Sequence, residues 1–222
     1  ACHLRKEKLT DETFVIHGAG AGGVGVAWAI REGLVRAGMS REEATKRVFV
    51  LDSRGLLLAD RKMEDYKKMF AHDPASIADW EFEGEAPDLL ETIKNAKATV
   101  LLGLSGRPDA FDEAIVKQMA ENHKWPIIFP LSNPTSSAEA KPVDIFKWTD
   151  GQAIVATGSP FEPVKMGGVT HPIGQGNNAF IFPGLGFGAI LSDASMITDD
   201  MVLEASQALA DYSIEKYVDG GL

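Results

Sequence analysis

A single cysteine, Cys2, stands among 222 residues, which excludes an internal disulfide and any cluster of cysteine metal ligands and fits a reducing compartment. Long apolar runs are missing too. The most extended, such as residues 99–104, fall far short of the ~20 residues a membrane helix needs, so no bilayer span is expected. Positive charge is also scarce: 22 Lys and Arg against 32 Asp and Glu leave a net charge of −10. No basic stripe with interleaved aromatics offsets it, which argues against nucleic acid as a partner. Repeats and low-complexity linkers are absent, so the chain reads as one domain over 1–222 with its own core. The first residues contain neither a Met at position 1 nor an apolar segment of signal-peptide length. The expectation is a non-secreted protein of the cytoplasm or an organelle matrix, whose sequence starts partway through a longer polypeptide.

What is present is a regular alternation of elements. Short apolar or β-branched runs at 13–16, 48–51, 99–102, 127–129 and 153–156 are continuous rather than alternating. That texture suits strands buried on both faces of a parallel sheet. Between them, helices are expected over 24–36, ending near Gly38, and over about 109–122, with a long one after Thr198. Ser40 and Glu43 have capping-box spacing, so a short extra helix should precede the second strand. The fold class is α/β, a Rossmann-like, doubly wound, mostly parallel sheet with helices on both faces. Residues 158–188 are rich in Gly, Pro and Asn, as loops that line a site often are.

After the first run come Gly18, Ala19, Gly20, Ala21, Gly22 and Gly23, a G-x-G-x-x-G pattern between an expected strand and an expected helix. Gly18 permits a tight turn, Gly20 lets the backbone approach a pyrophosphate, and Gly23 allows close packing of helix on strand. The helix N-terminus adds free N–H groups and a positive dipole end. Asp52 ends the second run, where a carboxylate accepts both ribose hydroxyls of an adenosine; the alternative is a plain solvated strand terminus. Ser53 and Arg54 follow, and a hydroxyl beside a guanidinium can hold a 2′-phosphate, although Arg54 also reads as an exposed turn residue.

Further loops follow later strand ends: Gly103 to Phe111 in sequence, then Leu131-Ser132-Asn133-Pro134-Thr135, then Gly158-Ser159-Pro160-Phe161 and Gly174-Gln175-Gly176-Asn177-Asn178. Each alone reads as a turn. In order, and together with the glycine loop and Asp52-Ser53-Arg54-Gly55-Leu56, they resemble the C-terminal part of malic enzymes across nearly the whole chain. The Leu-Ser-Asn-Pro-Thr and Gly-Gln-Gly-Asn-Asn segments are the ones specific to that family.

The resemblance implies oxidative decarboxylation of malate to pyruvate and CO2, with hydride passing to NAD or NADP and a divalent Mg or Mn ion polarising the substrate. It implies that Asn133 and Asn178 contact substrate and the nicotinamide end, and that Leu104, Ser105 and Gly158 lie along the cofactor. Similar NADP-using members carry a lysine just before a Phe-Ala-His segment, which places Lys67 on a 2′-phosphate here. With Ser53 and Arg54 this tilts the expectation to NADP, with NAD as the alternative. The family's general-acid tyrosine, catalytic lysine and metal carboxylates precede the glycine loop, and their motifs are absent from the 17 residues before Gly18. Tyr66, Tyr212 and Tyr217 match no catalytic segment, and Lys165 reads as a solvated side chain.

The expectation is therefore one NAD(P)-binding domain with no catalytic or metal-binding residue of its own, inactive in isolation. Its partners would be malate and pyruvate, a missing N-terminal domain of the same polypeptide, and further copies in a homo-oligomer. A malolactic-type enzyme of the same superfamily and a non-catalytic nucleotide-binding regulatory module remain alternatives.

Overall fold

A computed structural model describes residues 1–216. In chain order the helices and strands run α1 (Cys2–Arg5), β1 (Phe14–His17), α2 (Ala21–Arg36), α3 (Arg41–Lys46), β2 (Val48–Asp52), β3 (Gly55–Leu56), α4 (Leu89–Ala96), β4 (Val100–Gly103) and α5 (Glu113–Asn122). They continue with β5 (Ile127–Pro130), α6 (Pro142–Trp148), β6 (Ile154–Thr157), β7 (Val164–Met166), β8 (Val169–His171), β9 (Gly174–Gln175), α7 (Phe182–Leu191) and α8 (Asp199–Ile214). Tyr217 lies outside the described residues. Where the sequence marks no boundary, the chain divides into two compact units, one of Leu9–Gly176 and one of Ala1–Lys8 with Asn177–Leu222. The division falls inside the Gly/Pro/Asn-rich stretch.

The larger unit holds a seven-stranded sheet in the order β3-β2-β1-β4-β5-β6-β9. Every pairing is parallel except that of β2 with β3. The five expected runs are β1, β2, β4, β5 and β6, and in β1, β2 and β4 nearly every residue is buried, as continuous apolar strands covered on both faces must be. One face carries the main apolar core, in which Val15, Leu51, Leu101 and Ile128 join Ile93 of α4, Ile115 and Met119 of α5, and Phe146 of α6. On the other face α2 packs on β1 and β2 and buries Val24, Ala27 and Leu34. The order reverses between β1 and β4: the chain winds outward from β1 through β2 to one edge, then returns beside β1 with β4 and winds to the other. Open α/β sheets bind ligands at the carboxyl ends of the strands at such a switch point.

Two helix starts differ from the sequence reading. Helix α2 begins at Ala21 rather than 24, with Gly22 and Gly23 inside it. Glycine is a poor helix former, so the pattern alone puts these residues in the turn. Helix α5 begins at Glu113 rather than 109, since Asp109 adopts a left-handed φ of 55° and the Asp112 side chain caps the helix through Ile115 N–H. The short helix α3 forms with the reciprocal capping box of Ser40 and Glu43 in place.

In the smaller unit, α7 packs on α8, and the Thr198 side chain caps α8. The α7 sequence is apolar all round, and Phe182, Phe187, Ile190 and Leu191 are exposed. No helix among the described residues is long and apolar enough to cross a membrane.

Candidate functional site

The glycine loop is built by what glycine lacks. Gly18 has a φ of +122°, and a Cβ there would overlap the Leu104 carbonyl and lie 2.7 Å from Ser105 N. Gly23 sits under the turn, where a Cβ would overlap the Gly18 carbonyl oxygen. The loop is also tied to both neighbouring strands: Gly18 N–H donates to Leu51 O at 2.9 Å, and Leu104 N–H donates to His17 O at 2.8 Å. Gly20 differs from both. It is the N-cap of α2 in extended backbone, a Cβ there would meet nothing within 4 Å, and no side chain caps the helix. The first N–H groups of a 16-residue helix are thus left for a ligand.

A cleft of about 300 Å³ lies against this loop, lined by Gly18, Ala19, Gly20, Asp52, Ser53, Lys67, Leu104 and Ser105, with His17, Tyr66 and Arg107. A second cleft of about 420 Å³ shares His17, Asp52, Ser53 and Arg107 and extends between the first turns of α4 and α5, past Leu89, Leu90 and Ile115. Each is large enough to receive part of a small-molecule ligand. The expected cofactor residues Ala21, Gly22 and Gly23 form the first turn of α2 beside them.

Asp52 stands where the two clefts meet, with its side chain 11% exposed. Its Oδ1 accepts from Arg54 N–H at 2.9 Å and pairs with Arg61 Nη2 at 2.7 Å, and its Oδ2 lies 3.7 Å from Lys67 Nζ. Burial alone would push this carboxyl up, but the Arg54 amide, Arg61 and Lys67 together hold it below the ordinary carboxylate value. Lys67 is paired again, with Glu64 at 2.8 Å, and that bond raises its pKa. The Arg54 guanidinium donates to the Lys62 carbonyl at 2.9 Å. Both cations on which the tilt to NADP rested are therefore engaged within the protein.

Sequence reasoning missed three residues here. His17 is buried beside Phe111 with no partner for its Nδ1 among the described residues, and burial pushes the imidazole below its ordinary value, partly opposed by Glu139. Arg107 is exposed at the junction of the two clefts, its backbone N–H donating to Ser105 Oγ at 3.1 Å. Glu139 is fully buried beneath the loops that follow β4 and β5 and accepts hydrogen bonds from Ser105 and Ser132. Glu139 occurs in a run of Ser and Ala that looks like ordinary surface, so no local signal gives it away. The buried His17 is at least foreshadowed by its place at the end of an apolar strand, immediately before Gly18.

Asn133 and Gly158 lie on the loops after β5 and β6. The Ser159 hydroxyl donates to Asn133 Oδ1 at 2.6 Å, and a Cβ on Gly158 would come within 2.7 Å of that same oxygen. With Oδ1 occupied, the Asn133 NH2 group is the part left to donate. Asn178 belongs to the smaller unit, where it opens the short turn Asn178–Phe180. The Tyr66 hydroxyl donates to Ala19 O at 3.4 Å, a contact that supports the glycine loop. Lys165 is exposed on β7, and among the described residues no group of three or more His, Cys, Asp or Glu is placed to hold a metal ion. The divalent ion that the resemblance implies finds no ligand set among them.

A doubly wound sheet, a glycine turn that only glycine can make, an uncapped helix start and a carboxylate at the end of β2 define a dinucleotide-binding domain. The family is equally definite: residues 1–221 match the model of the malic enzyme NAD-binding domain, and the chain belongs to that family. It is 47% identical over 215 residues to the NAD-dependent malic enzyme of Edwardsiella ictaluri (strain 93-146), covering 96% of this chain and 38% of that protein. It is 46% identical over 208 residues to NAD-dependent malic enzyme 3 of Bacillus subtilis (strain 168), covering 92% of this chain and 37% of that one. The crystal structure of Entamoeba histolytica malic enzyme superimposes with a TM-score of 0.71 at 27% identity, over 98% of this chain and 39% of that chain. The chain thus spans less than two-fifths of the length of these relatives.

Proposed function

We propose that this chain binds NAD, in preference to NADP, across the carboxyl ends of β1 and β4, and that it forms the cofactor half of a malic enzyme active site. Asp52 carries the reading. It is an ionised carboxylate at the end of β2, able to accept from the ribose hydroxyls and to repel a 2′-phosphate placed on the same spot. Lys67 does not reverse that preference, because its charge is already matched by Glu64 and Asp52. The names of the two relatives, both NAD-dependent malic enzymes, support the same choice.

When bound, NAD supplies the hydride acceptor for oxidation of the malate C2 hydroxyl, the step that precedes loss of CO2. The residues of this chain bind and orient. The first turn of α2 receives the pyrophosphate on its backbone N–H groups, and Arg107 at the junction of the clefts neutralises it further. Asn133, its oxygen held by Ser159, donates its amide protons to the carboxamide or a substrate carboxylate. The base, the acid and the divalent ion for decarboxylation are assigned outside the described residues.

Calorimetric titration of the chain with NAD and NADP separately tests this. NAD is expected to bind in the micromolar range and NADP at least ~10-fold more weakly, a difference of about 1.4 kcal/mol. Failure of both nucleotides to bind below about millimolar would sink the cofactor reading, and equal affinities would sink the preference.

A further inference from the structure

The loop after β4 lines the pyrophosphate cleft through Leu104 and Ser105, and the loop after β5 carries Asn133. Neither loop is part of the sheet ladder. One buried carboxylate receives hydrogen bonds from both. Glu139 Oε1 accepts from Ser105 N–H at 2.9 Å, Ser105 Oγ at 2.8 Å and Ser132 Oγ at 2.6 Å. Its Oε2 faces Ser132 N–H at 3.4 Å. Each hydroxyl, while donating to the carboxylate, accepts in turn from the β4 loop: Ser132 Oγ from Gly106 N–H at 2.9 Å, and Ser105 Oγ from Arg107 N–H at 3.1 Å. The Glu139 carbonyl accepts from Phe111 N–H at 2.9 Å, anchoring the far end of the same loop. The space for the carboxylate exists because residue 103 is glycine, where a Cβ would overlap the Glu139 side chain.

Three properties of this cluster exceed what a turn requires. Glu139 is 0% exposed, a costly location for a carboxylate. All four of its partners are donors, which is the environment of an ionised acceptor rather than of an amide. Of the two loops it joins, that after β4 lines the cofactor cleft, and that after β5 carries Asn133, the amide assigned above to the nicotinamide end. Buried ions are retained where they fix a geometry, and the geometry fixed here is the offset between the pyrophosphate cleft and Asn133.

We propose that Glu139 is the positioning residue that registers the nicotinamide-side amide, Asn133, against the pyrophosphate loop, through Ser132 on one side and Ser105 on the other. The inference rests on the cofactor reading above. Glu139 itself touches no ligand, since it is covered by the serines that it holds. Ser105 transmits its effect to the part of the cleft that any adenine nucleotide occupies. Ser132, the residue before Asn133, transmits it to the nicotinamide end, which only the whole dinucleotide reaches.

The test is titration of the chain with NAD and with ADP, wild type beside Ser132→Ala, Ser105→Ala, Glu139→Gln and the Glu139→Gln/Ser132→Ala double variant. Thermal unfolding of each variant confirms that it is folded at the titration temperature. A charge-assisted hydrogen bond corresponds to roughly tenfold in an equilibrium, so Ser132→Ala is expected to weaken NAD about fivefold or more while changing ADP less than about twofold. Ser105→Ala should weaken both ligands together. In the double variant the NAD loss should be smaller than the sum of the two single losses, because Ser132 and Glu139 share one hydrogen bond, while the Gly106 N–H bond to Ser132 Oγ adds a part of its own. A Ser132→Ala variant that shifts NAD and ADP equally, or shifts neither, overturns the proposal, as does simple additivity in the double variant. Should Glu139→Gln not fold, the Ser132→Ala and Ser105→Ala pair decides by the same ligand split. Wild-type protein that binds neither nucleotide fails the cofactor reading and takes this inference with it, whereas wild-type binding with no ligand split fails this inference alone.

Discussion

Two glycines of one motif should respond to the same methyl group in opposite ways. At Gly23 an added Cβ would overlap the Gly18 carbonyl oxygen, so the start of α2 must move away from β1. Overpacking of this kind costs about 1–3 kcal/mol, and backbone on both sides of the contact leaves no flexible side chain to give way. In a domain of this size that is a loss of roughly 2–12 °C in Tm. At Gly20 the methyl meets no protein atom within 4 Å, and the residue has φ −75° and ψ −179°, extended backbone that alanine adopts freely. The chain gains a little from reduced unfolded-state entropy and loses a few tenths at the N-cap, so stability should change by less than about 1 kcal/mol. The methyl instead fills the space into which a pyrophosphate would come, and NAD affinity should fall at least ~10-fold. Thermal unfolding with and without NAD reads both effects at once, since ligand at 100 times its Kd stabilises by about 2.7 kcal/mol. Gly23→Ala should lower the Tm without ligand, whereas Gly20→Ala should keep that Tm and lose about half or more of the NAD-induced rise. A Gly20→Ala protein that still gains the full rise would refute the placement of the pyrophosphate on this loop.

Asp52→Asn should narrow the preference for NAD over NADP by about tenfold, because the amide accepts from a ribose hydroxyl but does not repel a phosphate; parallel titrations with the two nucleotides check this, and an unchanged ratio would remove Asp52 from the specificity argument. Stability should also decline as pH falls below neutrality. His72 is stacked on Phe49 with ring centroids 4.4 Å apart and Nε2 3.1 Å from Val48 O, and burial holds its pKa below the ordinary value, as it does for His17. A histidine whose folded pKa is depressed takes up its proton first in the unfolded state. Its contribution is therefore complete above about pH 6.5 and is lost as pH falls toward the folded pKa. Urea midpoints at pH 7.5 and 5.5 measure the slope, and His72→Phe should flatten it; a variant with the wild-type slope would assign the acid sensitivity to other groups.

How much of this was legible depends on whether a residue's partners are local. The strands β1, β2 and β4, the turn at Gly18 and the capping box of α3 follow from short-range pattern, and they form as that pattern dictates. The start of α2 did not follow, because glycine's low helix propensity is outweighed at Gly23 by a contact with Gly18 that propensity does not describe. Strand β3 is only two residues long and antiparallel. It depends on a left-handed Gly55 whose Cβ would lie 2.6 Å from the Pro87 carbonyl, a contact made across more than 30 intervening positions.

The site divides in the same way, and the division explains why the cofactor tilt changed. That Asp52 ends a strand and that Lys67 precedes Phe-Ala-His are facts of sequence, yet the charge a nucleotide meets is a sum over groups that only the fold assembles. Glu64, three residues before Lys67, was within reach of a local reading, since such spacing pairs side chains on one turn. Arg61 on Asp52 was not, and neither was the pull of Asp52 on Lys67. Once the two carboxylates and two cations are set together they balance, and it is on this balance that the proposed preference for NAD rests. Glu139 is the extreme case: a carboxylate in a polar stretch, indistinguishable from surface until Ser105 and Ser132, from two different loops, converge on it. Residues that meet a ligand cluster at strand ends and can be found from the ends of apolar runs. Residues that hold those loops in register leave no such trace, because the partners that reveal their role come from elsewhere in the chain.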